Sequence, residues 1–162
     1  MIKGRTQAFC AAFLNPTNNP PEEILDEHFT TNNLRILEHG PTWAQSKLPY
    51  IARPFRGRNE GLWYFRLQSE TVLFQPDKDT FSGSEGIVVD PDALIAGAVG
   101  RGVANVIGKA KFKAVKTGQS WEARFVWRLS GFDEDGKIGL WEIWNDALSA
   151  WMAVGSGGGT PF

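Results

Sequence analysis

Two stretches in the second half of the chain alternate cleanly. Over 103–116, Ala104, Val106, Gly108, Ala110, Phe112 and Ala114 alternate with Asn105, Lys109, Lys111 and Lys113. Over 121–129, Trp121, Ala123, Phe125, Trp127 and Leu129 alternate with Glu122, Arg124 and Arg128. Period two predicts half-buried strands, with the apolar set turned to the core. The run "DEDGK" supplies a hairpin turn into a last strand, "IGLWEIWND". Shorter strands are expected at "LRILEH", "GIVVD" and "ALIAGAVG". In "LRILEH", Arg35, Leu37 and His39 share one face, and Leu34, Ile36 and Glu38 share the other. Ahead of the strands the spacing turns helical. Residues 59–72 place Leu62, Phe65, Ser69 and Val72 on one stripe, with Asn59 as cap and Glu60 in the first turn. Residues 3–14 put Phe9 and Phe13 four apart. "NPTNNPP" ends that helix, and Asn19 opens a short one with Ile24, Leu25 and Phe29 inward. Helices followed by a run of strands predict an α+β fold, with helices on one face of a curved, antiparallel-rich sheet.

Folding the turn so that Val126 faces Glu142 sorts the two final strands. One face carries Phe125, Trp127, Trp141, Ile143 and Asn145 and is apolar enough to wall a cavity. The other carries Arg124, Arg128, Leu140, Glu142 and Trp144. There Glu142 reads as an ion-pair partner of an arginine, and Arg124 is set to lie over Trp144. A tryptophan among paired charges on a sheet face predicts a homodimer through that convex face.

Composition narrows the picture. At 162 residues, with seven Trp and eleven Phe, the chain is long enough for one well-filled core. We expect a single domain over 1–154 and a flexible Gly-rich tail over 155–162. A net charge of −1 leaves no electrostatic footprint for nucleic acid or an anionic membrane. There is no run of about 18 apolar residues, so no membrane span is expected. A single cysteine, Cys10, excludes an internal disulfide and a cysteine zinc cluster, and suits a cytoplasmic setting. Two histidines far apart offer no metal motif, so neither metal nor cofactor is expected.

The order of elements, "LEHGP" followed by "RPFRGRNEGLWYF", and the terminal "GFDEDGKIGLWEIWND" resemble the SnoaL-like branch of the nuclear-transport-factor-2-like superfamily. The style is similar to its fungal members. The resemblance covers about residues 5 to 152. It implies a cone: a curved sheet closed by about three helices around an internal apolar pocket. It also implies a hydrophobic small molecule as ligand. Members include ketosteroid isomerases, scytalone dehydratases, limonene-epoxide hydrolases and polyketide cyclases, beside others that only bind. By motif position, His39 matches the place of the isomerases' general-base carboxylate. Ile143 stands where the epoxide hydrolases have a catalytic aspartate, which counts against that chemistry.

The expected chemistry is isomerisation, cyclisation or dehydration of a polyketide- or terpenoid-like compound. His39 would act as general acid and base, since its ordinary pKa suits proton transfer near neutrality. Arg35, Asn145 or Tyr50 would hold the developing oxyanion. Phe112, Phe125, Trp127, Trp141 and Ile143 would wall the pocket, with Trp43, Trp63 and Tyr64 at its mouth. The alternative is a binding or assembly module without chemistry. His28, at a helix end, is read as a cation on the dipole.

Overall fold

A computed structural model of the chain describes residues 1–82, 86–96, 98 and 100–155. Among these residues are four α-helices, α1 (Ile2–Phe13), α2 (Pro21–His28), α3 (Gly57–Thr71) and α4 (Ala147–Val154). Seven strands, β1 (Arg35–His39), β2 (Pro54–Arg56), β3 (Val72–Gln75), β4 (Ile87–Asp90), β5 (Val103–Ala114), β6 (Ser120–Ser130) and β7 (Leu140–Trp144), form one sheet. The strand order is β2-β1-β7-β6-β5-β3, with β4 paired to the other end of β5. Among these seven strands β1 and β7 run parallel, and the other adjacent pairs are antiparallel. The expected α+β cone is what the chain forms, with its sheet curled around α1, α2 and α3.

The alternating faces of β5 and β6 turn as their patterns predict. Ala104, Val106, Ala110, Phe112, Phe125, Trp127 and Leu129 are buried, and the lysines and arginines between them face outward. Gly108 also belongs to the inner row. A Cβ there would collide with the Phe125 ring, which lies across it from the neighbouring strand. Phe9, on α1, is fully enclosed and touches Phe13, Phe29, Trp127 and Trp141 ring to ring, at 5.1–5.5 Å for Phe13, Phe29 and Trp141. Burying one such side chain contributes about 1.5–3 kcal/mol. This aromatic packing, more than helix propensity, holds α1 in the concave side of the sheet.

Several expectations need correction. The β6–β7 register is two residues further along than expected: Val126 faces Trp144, Trp127 faces Ile143, and Arg128 faces Glu142. The turn closes between Asp133 and Lys137, whose backbones pair at 3.0 Å, so it pivots on Asp135. The Asp133 carboxylate locks it by accepting from the N–H groups of Asp135 and Lys137, both at 2.9 Å. A shift of two preserves parity, so both faces keep their residues while the partners change. Arg128, not Arg124, therefore lies over Trp144, at 5.4 Å.

The segment "ALIAGAVG" forms no strand among its described residues. Arg56, not Asn59, is the N-cap of α3, and its N–H donates to the Glu60 carboxylate at 3.0 Å. α4 lies where only a strand end was expected. Asp146 caps it by accepting from the Ser149 N–H at 3.0 Å, and Ala147, Ala150, Trp151 and Val154 follow at helical spacing. His28 is buried against Phe9, with its Nε2 unpartnered, and burial lowers its pKa. It is a neutral core residue instead of a helix-end cation. The tail beyond Gly155 lies outside the described residues.

Candidate active site

The inner face of the sheet, α1 and α3 enclose a cavity of about 250 Å³. Phe112, Phe125, Trp127, Trp141 and Ile143 wall it, as the strand parity predicts, and Asn145 and Tyr64 join them. Phe13, Phe65 and Phe74 add to the aromatic lining. The mouth is framed by the loop carrying Pro16, Asn19 and Pro20, and by Ser69 at the end of α3, Leu73 in β3 and Pro76 just after it. The "NPTNNPP" break is thus a rim of the site as well as a helix stop.

Among the described residues, the one carboxylate in this wall is Glu38. In β1 the inward residues are Ile36 and Glu38, and the outward ones are Arg35, Leu37 and His39. Glu38 is only 6% exposed. The Tyr64 hydroxyl donates to its Oε1 at 2.7 Å. Burial raises the Glu38 pKa from 4.5 to about 7, against the opposing pull of the Tyr64 hydrogen bond. Burial and the neighbouring Glu38 charge together push the phenols of Tyr64 and Tyr50 well above their usual range. Those hydroxyls stay protonated and keep their donor capacity.

Asn145 lies just beyond β7 and faces the cavity. Its Oδ1 accepts from the Asp146 N–H at 2.8 Å, so its amide N–H group is the end left for a ligand. The cavity adjoins a chamber of about 20 Å³ lined by Glu38, Tyr50, Gln68, Asn145 and Asp146, the size of one water. The indole N–H of Trp141 is buried without a protein partner.

His39 is not in the cavity. It stands on the outer face of β1, where its Nε2 lies 3.1 Å from Glu142 Oε1 and its ring stacks on Trp144 at 4.2 Å. Arg128 donates to the other Glu142 oxygen at 2.8 Å. Glu142 is thus the ion-pair residue its strand parity predicts. The inward reading of His39 fails because Leu34 and Ile36, the more apolar alternate pair, are the buried ones (2% and 0% exposed), and they carry Glu38 inward with them.

Arg35 also projects from the outer face, into a separate cleft. Tyr50 is buried in the small chamber, edge-on to Tyr64 at 6.3 Å. Tyr64 is at the floor beside Glu38, not at the mouth. Trp43 packs edge-on against Trp151 at 5.1 Å, and Trp63 lies under the Arg53 guanidinium at 4.4 Å; neither lines the cavity.

Among the described residues no group of three or more His, Cys, Asp or Glu could hold a metal ion. No helix among them is long and apolar enough to cross a membrane.

A strongly curled sheet closed by helices over a pocket is an NTF2-like fold, and solved structures agree. The chain has the fold of the NTF2-like proteins, the SnoaL-like polyketide cyclases among them. A Bacillus subtilis protein provisionally described as an isomerase superposes with a TM-score of 0.63 at 10% identity, covering 94% of each chain. A provisionally described SnoaL-like polyketide cyclase from Jannaschia gives 0.55 at 12% identity, covering 94% of this chain and 93% of that one. A protein named TerC, crystallised with polyporic acid, gives 0.56 at 14% identity, covering 94% and 98%. No protein-family profile and no curated protein matches the sequence.

Proposed function

We propose that the chain is a small enzyme, working without a cofactor, on a hydrophobic ring-bearing metabolite of polyketide or terpenoid type. The reaction is an isomerisation, cyclisation or dehydration that begins with removal of a proton next to a carbonyl. Glu38 is the base. The observation that carries this reading is a carboxylate only 6% exposed in an aromatic wall, its pKa raised by burial to about 7. Such a group is a competent base and, once protonated, a competent acid near neutral pH. Tyr64 fixes the carboxylate's position through its 2.7 Å hydrogen bond. The Asn145 amide N–H donates to the substrate carbonyl, where charge develops as the proton leaves. The aromatic rings hold the substrate's carbon skeleton and keep bulk water away, which strengthens both interactions. The descriptions of the fold neighbours as isomerase and polyketide cyclase, and the polyporic acid crystallised with TerC, fit this reading.

The test uses proton exchange. Ring ketones such as tetralones are incubated with the protein in deuterium oxide, and loss of the α-proton signal is followed by NMR. The wild type is expected to accelerate exchange, and Glu38→Gln to lower the rate by about 10²–10⁴-fold. If the ketones bind and Glu38→Gln leaves exchange unchanged, the cavity is a binding module and the enzymatic reading fails.

A further inference from the structure

The proposed reaction uses Glu38, Tyr64 and Asn145, and leaves two polar side chains of the same region unassigned. Gln68 lies one turn beyond Tyr64 on α3, on the same face of the helix. Its carboxamide makes no hydrogen bond to a described residue. Tyr50 is buried, and its hydroxyl also lacks a hydrogen-bond partner among the described residues. Unlike the Trp141 indole N–H, that hydroxyl is not closed off: Tyr50 lines the water-sized chamber beside the cavity.

Glu38, Gln68, Val72, Phe112 and Asn145 line both the cavity and this chamber. The chamber is therefore a side recess of the cavity floor, next to the carboxylate and the two amides. Its volume of about 20 Å³ admits a single oxygen. Asp146 also lines it, but its carboxylate caps α4, accepting from the Ser149 N–H and hydroxyl. The Tyr50 phenol, held protonated by burial and by the Glu38 charge, is a donor. The Gln68 carboxamide offers an acceptor and two donors. Polar groups enclosed without partners call for an explanation, and a ligand oxygen in the recess pairs with both. The carbon that faces Glu38 must carry the hydrogen it loses, so an oxygen on that carbon is a hydroxyl and not a second carbonyl.

We infer that the substrate is an α-hydroxy ketone, its hydroxyl seated in this recess between Tyr50 and Gln68 while Asn145 holds its carbonyl. The inference rests on the reading of Glu38 as base and Asn145 as carbonyl donor, and names the substrate class of that same site. The hydroxyl accepts from Tyr50 and donates to Gln68 Oε1. Tyr50 and Gln68 are thereby specificity-determining residues. A ketone with hydrogen in place of the hydroxyl leaves both unpaired, and a site built to hydrogen-bond a hydroxyl rejects the analogue that lacks it.

The test measures binding and reads no turnover. 1-Tetralone and 2-hydroxy-1-tetralone are titrated into the ¹⁵N-labelled protein, and the side-chain amide signals of Asn145 and Gln68 are followed. Asn145 should shift with both ketones, and Gln68 with the hydroxy ketone alone. The hydroxy ketone should bind about tenfold more tightly, as added hydrogen bonds imply. Gln68→Leu and Tyr50→Phe should each reduce that preference to about threefold or less, with backbone spectra reporting that the fold is kept. Equal affinity for the two ketones, a Gln68 signal that responds equally to both or to neither, or full preference in both variants would each overturn the inference. If the preference holds and Glu38→Gln leaves proton exchange unchanged, the recess still selects a hydroxyl and only the catalytic reading falls. If exchange depends on Glu38 and the preference is absent, the catalytic reading stands and this inference falls alone.

Discussion

Replacing Glu38 by Gln should stabilise the protein, and by an amount that grows with pH. In the unfolded chain Glu38 titrates near its ordinary 4.5; in the folded protein it titrates near 7. Below 4.5 both states carry the proton. Between 4.5 and 7 the unfolded chain has released a proton that the folded state still holds, so unfolding becomes progressively easier as pH rises. Above 7 both states are ionised and the loss is complete. At about 1.4 kcal/mol per pH unit, the gap between 4.5 and about 7 corresponds to about 3 kcal/mol of native stability. Gln keeps the shape and an oxygen to accept the Tyr64 hydroxyl, but never acquires the charge. Urea denaturation of wild type and Glu38→Gln at half-unit intervals from pH 4.5 to 8.5 isolates the effect, because every other titration cancels in the difference. The curves should nearly coincide at pH 4.5 and diverge by about 3 kcal/mol in favour of the variant at pH 8. Loss of proton exchange together with gained stability is what a strained catalytic carboxylate requires. A difference that stays flat across this range would mean that Glu38 is not desolvated in the folded protein, and the reasoning about its basicity would collapse with it.

Two further outcomes follow from the same geometry. His39→Ala should leave ring-ketone proton exchange within about twofold of wild type, since His39 lies behind the sheet against Glu142 and Trp144; a loss comparable to that of Glu38→Gln would contradict the placement of the base. The outer row His39, Trp144, Val126 and Ile107 crosses four adjacent strands, and its apolar members are 36–50% exposed. We therefore propose a homodimer through this face. Sedimentation velocity at micromolar concentration should give a dimer that Trp144→Ala converts to monomer, and a monomeric wild type would remove the proposal.

What the sequence makes legible here is parity, and what it hides is the choice of face. On β5, β6 and β7 each strand has one face plainly more apolar than the other. Phe125, Trp127, Trp141 and Ile143 could thus be placed inward from their order alone, and a two-residue error in register did no harm. β1 is five residues long and, with Leu34 just before it, carries a weaker contrast: Leu34, Ile36 and Glu38 against Arg35, Leu37 and His39. A histidine at the position expected of a base outweighed two aliphatic residues pointing the other way. The aliphatic pair is the physically decisive signal, because burying Leu34 and Ile36 contributes about 1.5–3 kcal/mol each. A lone carboxylate is carried inward with them when a buried donor such as Tyr64 receives it. Tyr64 is itself set in place by α3, which meets Glu38 only in three dimensions, 26 residues further along the chain. No pattern local to β1 contains that partner. Period and composition therefore describe the walls of this protein well. Its polar site arises from a pair brought together by topology, Glu38 and Tyr64, and is found by asking what a buried charge has for a partner.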